Sequence, residues 1–182
     1  MAVTLTPPGC EIRQLDNLKS LLAGSAAWET WTGLSDLADR AARIASPEYS
    51  GTGKLPAIVL APGSTRRERV SGTSGNPVIA RGRIHVVCFE AVDTEVAYAV
   101  DWRRAVGNFT ALLDELATDS ALSAWQSPMR IISVETSEPI GRRTDIVTED
   151  DLDETDAAAE LEELFSGPVW LLSGWVSWGP VG

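Results

Sequence analysis

The sequence predicts an α+β domain: a single, mostly antiparallel sheet with helices packed on one face and a polar β-hairpin protruding from it. Three observations predict this. Apolar residues change period along the chain, from helical steps of three and four to runs that suit strands. A Gly- and Ser-rich stretch, residues 72–77, separates two strand-like arms and reads as a turn. The stretch VWLLSGWVSW, residues 169–178, carries three tryptophans and is apolar on both parities, so it needs protein on both sides. The 182 residues suit one domain, long enough to bury a core without a disulfide or a metal.

Taken in order, Ile12, Leu15, Leu18 and Leu22 recur at helical spacing. Gly24 reads as a stop and Ser25 as the cap of a short second helix, on which Trp28 and Trp31 share a face. Gly33 interrupts, and Ser35 is placed to cap a third helix through Arg43. The loop SPEYSGTGKLP leads to AIVL, the first strand signal. The arms around the 72–77 turn pair antiparallel and are polar near the turn, whereas Ile84 to Phe89 is apolar on both faces and reads as buried. Asp93 is placed to cap the strongest helix, whose stripe is Tyr98, Trp102, Val106, Phe109, Leu113 and Leu116. Gly107 inside it suggests a close approach to a strand. MRIISVE reads as another strand, DAAAELEELF has helical propensity, and the Trp-rich stretch is the last strand. That strand is expected to lie under a helix on one side and under the N-terminal helices or another subunit on the other. The order of elements, with strands and helices segregated, is what makes the class α+β.

The net charge of −11 is unevenly placed. Residues 145–163 hold ten of the 26 acids and no base, which leaves 16 acids against 15 bases elsewhere. A near-neutral body with an acidic excursion does not favour nucleic-acid binding, which wants a basic excess. No apolar run approaches the roughly 18 residues of a membrane helix. The first ten residues, MAVTLTPPGC, lack a basic start and a long apolar stretch, so no leader is expected. Cys10 and Cys88 are far apart and match no ligand spacing, which favours a reduced, cytoplasmic setting. With one histidine, His85, zinc is not expected. TEDDLDETD has a calcium loop's charge without its central Gly or its ligand order. GTSGN matches no phosphate-binding motif. No cofactor is indicated.

The arginines near the turn are the more informative group: Arg66, Arg67 and Arg69 on one arm, Arg81 and Arg83 on the other. One reading is edge protection, since charge blocks unwanted strand pairing. The other is a partner for carboxylates through bidentate contacts. Asp150, Asp151, Asp153 and Glu154, of the same or a neighbouring copy, are the obvious supply. A basic patch and an acidic patch on one chain are what head-to-tail association requires.

Five features in this order, LDNLKSLLAGSAAWETWTG, LPAIVLAPGS, RGRIHVVCFEA, AYAVDWRRAVGNFTALLDEL and WLLSGWVSW, cover most of the chain. In them the chain resembles the tail completion, or tail terminator, proteins of long-tailed bacteriophages and related prophage elements. The resemblance implies a structural virion protein without catalytic residues. It implies a homo-oligomeric ring, usually six-fold, that caps the tail tube and offers the site where the head docks. The partners would be copies of itself, the tail tube protein and a head-side connector or stopper. Genome DNA could pass through the ring without specific binding, and no membrane is involved. Assembly would take place in the bacterial cytoplasm. The acidic stretch before the last strand departs from the family pattern. The alternatives are another neck component (a head-side adaptor or stopper), an acidic DNA-mimicking inhibitor, and a small enzyme using His85.

Overall fold

The computed structural model describes residues 10–45, 54–69, 78–118, 129–144, 165 and 167–180. The chain runs through α1 (Cys10–Gly24), α2 (Ala26–Thr32), α3 (Leu37–Ala42), β1 (Ile44–Ala45), β2 (Ala57–Arg69), β3 (Val78–Ala91), α4 (Tyr98–Leu116), β4 (Met129–Arg143) and β5 (Val169–Pro180). Among the described residues the strands form one five-stranded sheet in the order β1-β2-β3-β5-β4. Only the two-residue β1 pairs parallel; the other neighbours are antiparallel. The fold is therefore α+β, as the pattern of elements predicts.

Strand β5 answers the question posed by the tryptophans. It lies between β3 and β4 and pairs with both. Trp170, Leu172, Val176 and Trp178 point to the helices and are buried. They join Ile58, Leu60, Ile84, Val86 and Cys88 of the sheet and Leu18, Leu22, Trp28, Phe109 and Leu112 of the helices in one core. The N-terminal helices thus pack on the same face as α4 and do not cover the second face. On that second face Phe89, Phe165 and Val169 form a small cluster with Val59, Val87 and Leu171 half-buried beside it.

Local chemistry sets the helix ends. Ser25 caps α2 by accepting from the Trp28 N–H, and Gly33 ends that helix at φ 66°, where a glycine meets no Cβ penalty. Glu115 of α4 completes the cap from afar, accepting from the N–H groups of Ala26 and Ala27 at 3.0 and 2.8 Å and from Ser25 Oγ at 2.8 Å. Burial would raise the Glu115 pKa, but those three donors outweigh it and the net direction is down. The cap of α3 is Asp36, one residue after the expected Ser35, because the Asp36 carboxylate accepts from both Ala38 and Asp39.

Helix α4 differs from the sequence expectation in start and in buried face. Asp93 accepts from the Glu95 N–H in a turn, and the helix begins at Tyr98 after Ala97, without a side-chain cap. The face against the sheet is Asp101, Ala105, Phe109, Leu112, Leu113 and Leu116; Tyr98 is exposed and Trp102 and Val106 are half-buried. The close approach to the sheet is made by a strand glycine. A Cβ at Gly174 would lie 2.8 Å from the Glu135 carbonyl oxygen and 3.1 Å from Leu113 Cδ1, so β5 is bare where α4 crosses it. Gly107 instead faces open space and is exposed. Gly107→Ala is therefore expected to stabilise the fold by about 0.5–1 kcal/mol, the helix-propensity difference. A thermal melt raised by a few degrees checks this.

Strand β4 runs past the expected MRIISVE to Arg143, bridging a pairing irregularity between Thr136 and Gly141. Pro139 falls within that irregularity, where the ladder to β5 is interrupted and a missing N–H donor is tolerated. The stretches expected as a turn at 72–77, as an acidic excursion at 145–163 and as the helical segment before Phe165 lie outside the described residues.

Candidate interaction surface

The pairing of β5 with β3 ends at Gly82, while β2 and β3 continue together for four more rungs, Arg66↔Arg81, Arg67↔Ala80, Glu68↔Ile79 and Arg69↔Val78. A two-stranded ribbon thus projects beyond the sheet, and four of the five arginines singled out by the sequence stand on it. Arg66 and Arg81 share one face; Arg67, one residue on, takes the other. Arg66 pairs with Glu68 at 2.6 Å, with the arginine side chain 81% exposed, so water screens this contact and it contributes little.

Arg83 behaves differently. It lies inside the sheet, on the face away from the helices. Its guanidinium sits 4.9 Å from the Trp175 ring centroid and donates to Glu135 at 2.8 Å, which ties β3 to β4 across β5. His85 stacks on the same indole at 4.4 Å between centroids, with the ring planes nearly parallel. Burial pushes the His85 pKa down, which favours the neutral imidazole. On the opposite parity Cys88 is fully buried; burial, then the nearby Glu90 charge, push its thiol pKa well up, which suits a packing role.

Asp150, Asp151, Asp153 and Glu154 lie outside the described residues, as does the side chain of Arg69. The described residues bring together a different acidic group, at the far end of β3. Glu90, 4% exposed, accepts from Arg104 Nη1. Arg104 also donates through Nε and Nη2 to Asp101 Oδ1 at 3.0 and 2.6 Å. Asp101, 1% exposed, accepts in addition from the Trp170 indole N–H at 2.6 Å and the Asp93 N–H at 3.0 Å. Burial would raise the Asp101 pKa, but these four donated hydrogen bonds hold it below the ordinary carboxylate value. For Glu90 burial wins and its pKa is raised, although Arg104 pulls the other way.

Sequence reasoning missed this cluster because Glu90 closes an apolar strand and Asp101 interrupts an apolar stripe. The available signal was an acid at a core position of each element, with Arg104 one helical turn from Asp101. Among the described residues no three His, Cys, Asp or Glu side chains converge as a metal site would require. No helix of the described residues is long and apolar enough to cross a membrane. Neither a family model nor a curated protein matches the chain.

Proposed function

We propose that this chain is a structural virion protein of the tail terminator, or tail completion, class. In this reading it forms a homo-oligomeric ring, six-fold in the manner of the family it resembles. The ring caps the tail tube and presents the surface on which the filled head docks. Its partners are copies of itself, the tail tube protein and a head-side connector or stopper. It assembles in the bacterial cytoplasm and resides in the neck of the virion. It works by fitting surfaces together, without catalysis or a cofactor. Genome DNA passes through such a ring unbound, and a chain of net charge −11 repels phosphate rather than gripping it.

The observation that carries the reading is the arginine-bearing ribbon projecting past β5 from a chain that is acidic overall. A projecting basic element on an acidic chain supports association between copies. The arginines proposed for it are Arg66, Arg67, Arg69, Arg81 and Arg83, with Asp150, Asp151, Asp153 and Glu154 as acceptors supplied by the sequence. Arg83, already paired with Glu135, contributes least.

Charge reversal of Arg67→Glu with Arg69→Glu is expected to leave a folded monomer where the unaltered chain forms rings. Static light scattering and negative-stain imaging of the purified proteins read the difference. A double variant that assembles like the parent removes the ribbon from the interface. Isolated tail tubes capped by the purified protein support the terminator assignment; binding to portal complexes instead makes it a stopper.

A further inference from the structure

The carboxylate cluster at the end of β3 opens into a cleft whose lining includes Trp31, Leu55, Glu90, Asp93, Glu95 and Arg104. Its charges do not balance. Glu90, Asp93 and Glu95 line it with one guanidinium, Arg104, which is divided between Glu90 and the buried Asp101 behind it. Glu90 Oε2 is buried and makes no hydrogen bond to the described residues. The Trp31 indole N–H lies close enough to Glu90 to ease its charge, yet makes no hydrogen bond either. Burying that oxygen costs free energy, which the Trp31 N–H eases only in part and which a second cation would offset. Asp93 and Glu95 stand exposed at the rim.

The lining defines what fits. Carboxylates on floor and rim suit the forked donors of a guanidinium. Trp31, Leu55 and Pro56 offer apolar surface for a methylene stem. A small metal ion would leave the indole and the apolar wall unused.

The chain carries such groups at the other end of the same strand. Arg81 and Glu90 are nine residues apart along β3, on the order of 30 Å. The ribbon bearing Arg66, Arg67, Arg69 and Arg81 therefore cannot reach its own cleft, and a second copy can supply it. We infer that the cleft of Trp31, Glu90, Asp93 and Glu95 is the socket for the hairpin arginines of a neighbouring copy. The contact is head-to-tail, with donor and acceptor at opposite ends of β3, and such contacts close into rings when the rotation allows. This inference rests on the reading that the chain assembles, and it names an acceptor other than residues 150–154.

The test is a set of complementary charge swaps, with mass measured by light scattering and folding by thermal melt. The cleft variant Asp93→Lys with Glu95→Lys, and the hairpin variant Arg66→Glu with Arg81→Glu, are each expected to be monomeric, at least roughly tenfold weaker in self-association. Mixed in equal amounts they are expected to form complexes again, since each supplies what the other lacks. Because Asp93 also stabilises the turn before α4, Glu95→Lys alone serves as a second cleft variant. A variant with Asp150, Asp151, Asp153 and Glu154 all changed to Lys is expected to assemble as the parent does. If the cleft variants assemble normally while the 150–154 variant does not, the socket is overturned and the ring reading stands. A parent chain that stays monomeric overturns both.

Discussion

Asp101→Ala is expected to lower the stability of the fold by about 3 kcal/mol, a large share of the roughly 5–15 kcal/mol available to a domain. The carboxylate is 1% exposed and collects four hydrogen bonds. Truncation leaves the Trp170 indole N–H, itself fully buried, without an acceptor, and frees the Asp93 N–H at the entry to α4. Arg104 retains Glu90 and its side chain is 45% exposed, so water screens its share of the loss. A fall in Tm of about 6–12 °C follows for a chain of this size. Asp101→Asn keeps an acceptor for the indole and is expected to lose less than half as much.

The acid dependence of stability should change with it. The Asp101 and Glu115 pKa values are both held below those of the unfolded chain. Each therefore contributes stability that is present above the ordinary carboxylate value of about 4 and is lost as pH falls through the folded value. Glu90 has the opposite sign: its raised pKa favours the folded state below about 4 and works against it as pH rises. The Asp101→Asn variant should show a shallower loss of Tm between pH 5 and pH 2, values in the usual carboxylate range. An unchanged acid profile would mean that Asp101 is not held as a charged group.

Local signals were legible and distant ones were not. Ser25, Gly33 and the alternation of β5 could be read because each acts on residues within one or two turns of itself. The Glu115 cap of α2 joins residues 88–90 apart in the chain, and nothing in either helix announces it. The error on α4 has a single cause. Counting apolar residues selects Tyr98, Trp102 and Val106, but the helix turns Asp101 and Ala105 inward. Ala105 is small enough for close packing, and Asp101 is the acceptor that the buried Trp170 N–H requires. The hairpin arginines were legible because charge clusters stand out in a sequence. The carboxylate cleft was not, because its members come from α2, β3 and the entry to α4 and meet only in the fold.

The two faces of β5 give a sharper test of how the molecule is used. Trp178 is 2% exposed and lies over Gly82, where an added Cβ would stand 2.5 Å from the indole ring. Ile131 pairs beside it, so the indole fills the space between the base of the ribbon and the edge strand. Trp178→Ala is expected to cost about 3–5 kcal/mol, the range for deleting a large aromatic from a packed core, because the strands on either side are hydrogen-bonded and cannot collapse into the gap. Trp175, three residues earlier, is half-buried on the other face, where it carries His85 on its ring and Arg83 nearby. In the isolated chain its truncation removes one stack and one cation–π contact and is expected to cost only about 1–2 kcal/mol. The comparison is most informative at two protein concentrations. If Trp175→Ala becomes as damaging as Trp178→Ala when the protein is concentrated enough to associate, the second face of the sheet is buried by another copy. If the gap between the two variants stays constant from dilute to concentrated solution in a chain that associates, the Trp175 face is not part of the contact.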